Sequence, residues 1–139
     1  MIILDTNVLS EAMSPVPDPS VYQWLSQQAN DELYTTAISM AEIFQGIELL
    51  PPGKRRTGLL AAARSVLTSL FAGRVLPFDE GAAIAFAVIA VDRRKRGRPI
   101  SLFDAQIAAI AKARAAPLVT RNVPDFENCG IPLINPWQT

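Results

Sequence analysis

The sequence predicts an α/β fold built around a central, mostly parallel sheet. Two observations carry that expectation. Short apolar segments at residues 1–4, 33–36, 74–78, 118–120 and 131–134 are separated by stretches whose apolar residues recur at helical spacing. Those segments also scarcely alternate between polar and apolar residues, as befits strands covered on both faces. With 139 residues, no internal repeat and no shift in composition, the chain is expected to form one domain over residues 1–139.

Each element has a local reason. Residues 1–4 (MIIL) are an apolar run that opens the sheet, followed by a short helical turn over 8–13. SPVPDPS carries three prolines and forms a loop, after which Asp18 or Ser20 can cap a helix to about residue 28. LYTT at 33–36 is the second strand. Ser39 is expected to start a helix that ends before Pro51-Pro52-Gly53. A longer helix over about 55–72 places Leu59, Leu60, Ala63, Val66, Leu67 and Leu70 at helical spacing. After a third strand at 74–78, Asp79 opens a helix running through Arg96, with Gly97 as its stop. Residues 102–115 form a further helix, 118–120 a fourth strand and 131–134 a fifth, giving a sheet of four or five strands.

Composition then removes whole classes of chemistry. The chain has no histidine and one cysteine, Cys129. That excludes an internal disulfide, cysteine-based zinc sites, histidine-ligated metals and Ser-His-Asp or Cys-His catalysis. The apolar N-terminal run is too short for a signal peptide. The longest later apolar stretch, 81–91, is far below the roughly 20 residues that cross a bilayer, so a soluble, cytoplasmic protein is expected. Thirteen basic residues balance thirteen acidic ones. The basic residues are nevertheless concentrated at Lys54-Arg55-Arg56 and over Arg93-Arg94-Lys95-Arg96-Gly97-Arg98.

Four acids stand where strands end or helices begin: Asp5 after the first strand, Glu42 in SMAE, Asp104 in SLFD and Asp125 in TRNVPDF. In open α/β sheets ligands bind outside the carboxyl ends of the strands. Each acid also has a plain structural reading. Ser39 with Glu42 has the capping-box spacing, Ser101 with Asp104 is a shorter-armed version of it, and Asp125 suits a turn. Asp5 fits such readings least, because a carboxylate following a core strand gains little from the core. Asp104 shares a helical face with Ile107, Ala108 and Ala111 and so should point inward. Carboxylates gathered in a half-buried pocket repel one another, and a hard divalent cation reverses that cost.

Taken in order, LDTNVLSE, SMAEIFQGIE, PISLFDAQIAAIA and VTRNVPDF resemble the PIN-domain ribonucleases, and among them the VapC-type, FitB-like toxins of type II toxin–antitoxin pairs. The resemblance runs from Ile3 to Trp137. It implies a PIN-like α/β/α sandwich in which Asp5, Glu42, Asp104 and Asp125 form a catalytic, metal-binding pocket for Mg²⁺ or Mn²⁺. Thr6, Asn7, Thr120 and Asn122 are expected beside the pocket. It further implies a homodimer, assembling further with a small antitoxin whose tail lies in a groove beside the site.

The function expected is hydrolysis of RNA phosphodiesters through metal-activated water, most simply as an endonuclease. Arg121 is the best single candidate for a phosphate contact. The run from Arg93 to Arg98 reads sooner as a solvated helix end, where cations favour the dipole, than as a backbone-binding patch. The helix AAIAFAVIAV is either buried or covered by a second copy. An alternative function stays open: a non-catalytic RNA- or protein-binding α/β module with a vestigial acidic pocket. An aspartate phosphotransferase would place an acid at position 7, where this chain has Asn7. A receiver domain would need an acidic pair at the first strand's end.

Overall fold

The computed structural model describes residues 1–138. Five parallel strands form one sheet in the order β3-β2-β1-β4-β5: β1 (Ile2–Leu4), β2 (Leu33–Thr36), β3 (Val75–Leu76), β4 (Leu118–Val119) and β5 (Leu133–Ile134). Seven α-helices flank it: α1 (Thr6–Ala12), α2 (Pro19–Ser26), α3 (Ala37–Glu48), α4 (Lys54–Ser65), α5 (Glu80–Lys95), α6 (Leu102–Ala113) and α7 (Val123–Phe126). The expected α/β/α sandwich is therefore present, with every strand pair parallel.

The alternation of side chains along each strand divides the core into two layers. Ile3, Leu76 and Leu118 pack with α5 and α6, whose inner face is Ile89, Ile107, Ala108 and Ile110. Their strand neighbours Leu4 and Val119 point the other way, onto Val8, Leu9, Ile43, Ala63 and Leu67 of the α1–α4 side. Such two-sided cover is why the strands read as continuous apolar runs.

Three details depart from the sequence expectation. α3 begins at Ala37, two residues before Ser39, because Thr36 at the end of β2 is its cap and takes the Ser39 N–H at 3.0 Å. Residues 66–70 widen into a π-helical turn at the end of α4. α7 is a single helical turn where only a loop residue was expected. No helix among the described residues is long and apolar enough to cross a membrane.

The expected choice for α5, buried or covered, resolves into two faces. Ala82, Ile89 and Arg93 are buried, whereas Ile84 (71% exposed), Val88 (67%) and Val91 (51%) form a bare apolar stripe.

Candidate active site

β1 delivers Asp5 to the carboxyl edge of the sheet, where its N–H still joins the ladder by donating to the Val119 carbonyl at 3.0 Å. Asp5 is buried and serves as the N-cap of α1, its Oδ1 accepting the Val8 N–H at 3.0 Å. Thr120, fully buried past β4, also hydrogen-bonds the Asp5 carboxylate. Burial nonetheless dominates, and with the neighbouring charges of Asp104 and Glu42 it pushes the Asp5 carboxyl up to about 6.

Glu42 lies one turn into α3, half-buried, and accepts a 2.7 Å hydrogen bond from Thr6 Oγ1. Behind Thr6 stand Ser39 Oγ at 3.1 Å and Thr36 Oγ1, itself 3.3 Å from Ser39 Oγ. Proton counting gives this chain a direction. Ionised Glu42 at the far end can only accept, so it takes the single Thr6 proton and the Ser39 hydroxyl must donate to Thr6. The hydroxyl protons therefore run Thr36 to Ser39 to Thr6 to Glu42. Three buried or half-buried hydroxyls thus aim Glu42 with no rotor left free. Burial raises the Glu42 carboxyl above the ordinary range, the Thr6 bond opposes this, and Asp104 adds to it.

Asp104 stands in the first turn of α6, whose cap is Ser101, the serine hydroxyl accepting the Asp104 N–H at 3.2 Å. Burial raises its carboxyl, Ser101 offsets part of that, Asp125 raises it further and Arg93 lowers it. Asp125 lies exposed in α7. The mutual electrostatics thus link Asp5 with Glu42 and Asp104, and Asp104 with Asp125. Acids separated by up to 120 positions in sequence are close enough to feel one another's charge pairwise.

The remaining expected neighbours divide. Thr6 and Thr120 contact the acids directly. Thr120 also accepts the Asn122 N–H at 3.0 Å, tying β4 to the Asp125 turn. Asn122 holds that turn through its carbonyl, which accepts the Asp125 N–H at 3.0 Å, rather than through its side chain. Asn7 is exposed, and no hydrogen bond links it to the acids. Arg121 is exposed, with its guanidinium 5.0 Å from the Trp137 ring centroid.

Two contributors escape the sequence reading. Ser39 appears there as a cap, because S-x-x-E is the capping-box spacing; as the third residue of α3 it is instead the middle of the hydroxyl chain. Arg93 appears there as part of a solvated basic run, yet it is buried. Its spacing of four from Ile89, on the inner stripe of α5, was the available signal.

The donor set is all oxygen, carboxylate and hydroxyl, which matches a hard divalent ion and not a soft one. Among the described residues, no three acidic or thiol side chains stand together as a ready-made ligand set. Each buried acid is instead bonded back to the fold, as uncompensated like charges require.

The PIN-domain family model matches residues 2–128 of the chain. The VapC ribonuclease Y4jK of Sinorhizobium fredii is 39% identical over 138 residues, covering 99% of both chains. Toxin FitB of Neisseria gonorrhoeae is 38% identical over 137 residues, again 99% of both. The crystal structure of FitAcB from Neisseria gonorrhoeae superposes with a TM-score of 0.91 at 37% identity, covering 100% of both chains.

Proposed function

The chain belongs to the PIN-domain family, among its VapC- and FitB-like members, and on that premise we propose that it is the toxin of a toxin–antitoxin pair and a divalent-metal-dependent ribonuclease. The observation that carries this reading is the set of acids at the sheet edge, with Asp5 held up at about 6 by burial and by its acidic neighbours. A protein gains no stability from such a set; a cation gives it a use.

Asp5, Glu42, Asp104 and Asp125 would hold the ion. When bound, Mg²⁺ or Mn²⁺ acidifies water and polarises a phosphodiester oxygen. The chain's own residues do the rest. Val8 N–H and Thr120 orient the Asp5 carboxylate. The Thr36–Ser39–Thr6 chain fixes Glu42 Oε1 and leaves its other oxygen for the cation. Thr120, through the Asn122 N–H, keeps the Asp125 turn against the same edge. Exposed Arg121 supplies positive charge beside the pocket for the RNA backbone.

Partners follow from the same reading. A cognate antitoxin would engage a cleft of about 520 Å³ between α1, α2 and the π-helical turn, lined by Leu4, Tyr22, Leu25, Leu33, Leu70 and Phe71 among others. This cleft contains none of the four acids, so an occupying segment would have to continue past Leu4 to reach Asp5. A second copy would cover the bare stripe of α5 and so complete a homodimer.

The test is cleavage of a panel of structured and single-stranded RNAs by antitoxin-free protein in Mg²⁺, Mn²⁺ or EDTA. Ion-dependent cutting is the expected result. Folded, ion-loaded protein that binds RNA without cutting any member would point to the binding-module alternative.

A further inference from the structure

Arg93 is only 4% exposed, and among the described residues no ion pair joins it to a carboxylate. Its donors go to main-chain oxygens instead. Nε bonds the Arg98 carbonyl at 2.7 Å, and Nη1 bonds the carbonyls of Asp125 at 2.7 Å and Glu127 at 3.1 Å, with Cys129 Sγ at 3.8 Å. Two of those carbonyls belong to α7 and the residue after it, the segment that carries Asp125. From the same position the guanidinium acts on Asp104. One buried cation therefore fastens the segment that carries Asp125 and favours the charged form of Asp104 on another element.

A purely structural fastening explains this poorly. Taking a guanidinium out of water is costly even after relaxation, and a neutral donor could hold one turn of helix. A cation behind an acidic pocket does two things a neutral donor cannot. It binds several carbonyls in a fixed fork, and it offsets the repulsion among the acids in front of it.

We propose that Arg93 is a positioning residue of the site: by clamping the Asp125 and Glu127 carbonyls it holds the Asp125 carboxylate toward Asp104, and so sets the affinity for the divalent ion. The inference rests on the functional reading above only in taking Asp125 as a ligand. Exposed Arg98 assists from outside, bonding the Glu127 carboxylate at 3.1 Å and the Pro124 carbonyl at 3.4 Å.

The experiment is a double-mutant cycle read in Mn²⁺ affinity, by calorimetry on the full chain, with wild type, Arg93→Lys, Asp125→Asn and the double variant. Thermal unfolding and amide exchange over residues 122–129 accompany it. Arg93→Lys should unfold cooperatively, exchange faster over that segment and bind Mn²⁺ about tenfold more weakly or worse. The double variant should bind no more weakly than Asp125→Asn alone, because Arg93 acts through that residue. Unchanged affinity in folded Arg93→Lys, or additive losses in the double variant, would overturn the assignment. Should Arg93→Lys not fold, Arg93→Gln is read alone: faster exchange over residues 122–129 with weaker Mn²⁺ binding is expected although a positive charge is removed, and unchanged or tighter binding, or failure of both variants to fold, overturns the assignment. A wild type that binds Mn²⁺ but cuts no RNA refutes the ribonuclease reading and leaves this cycle decisive. A wild type that takes up no Mn²⁺ removes the cation site, and this inference with it.

Discussion

Asp5 is a helix cap and a misplaced charge at once, and its two roles can be separated. As a cap it satisfies the Val8 N–H, which an asparagine oxygen would do as well. As a charge it is held at about 6 against an ordinary 3.8, chiefly by burial. A raised carboxyl makes folding costly above about pH 6, and the cost is relieved as pH falls from 6 towards 4. Asp5→Asn in EDTA should therefore be more stable than wild type at pH 7.5, by on the order of 2–3 kcal/mol. The gap should close near pH 4. Urea unfolding at three pH values checks this, and parallel pH profiles for the two proteins would refute it. The four acids stood out in the sequence because each was expected to follow a strand or open a helix. Their orienting hydroxyls did not: Thr6 meets Ser39 across 33 residues, and no local pattern encodes that contact.

Elements were legible wherever a period or a stop signal was long enough to read. Gly97 ends α5 with φ of 72°, as expected of it as the helix stop. α3 was misplaced by two residues because Thr36-x-x-Ser39 and Ser39-x-x-Glu42 are overlapping capping patterns, and only the end of β2 decides between them. α7 escaped because four residues cannot display a helical period. α5 posed a different problem. Its run of alanine and valine is apolar on every side, so periodicity alone could not tell its inner stripe from its bare one. Bare Ile84, Val88 and Val91 lie at i, i+4 and i+7, one continuous seam. If a second copy covers that seam, Val88→Glu should convert the protein from dimer to monomer in analytical ultracentrifugation while leaving its thermal unfolding cooperative. A dimer that survives the charge would move the interface elsewhere.

At the scale of the whole molecule, the strand order creates the site. The chain steps outward from β1 through β2 to β3, then returns to place β4 on the other side of β1. The loops after β1 and β4 consequently diverge, opening the kind of crevice in which α/β sheets bind ligands. Asp5 and Thr120 flank that crevice, α3 brings Glu42 to it and α6 brings Asp104. The sequence pointed to a mostly parallel sheet of four or five strands, and the fold has five, all parallel. The sequence could not establish which strands are neighbours, because that choice is made by long-range packing of the two core layers. The central claim is that these acids share one cation site, and Mn²⁺ anomalous scattering from crystals of wild type and Asp5→Asn tests it most directly. Mn²⁺ is expected in contact with Asp5 and Asp104, with Glu42 and Asp125 around it, and is expected to be lost from Asp5→Asn. Mn²⁺ bound away from Asp5, or held equally by the folded variant, would contradict it.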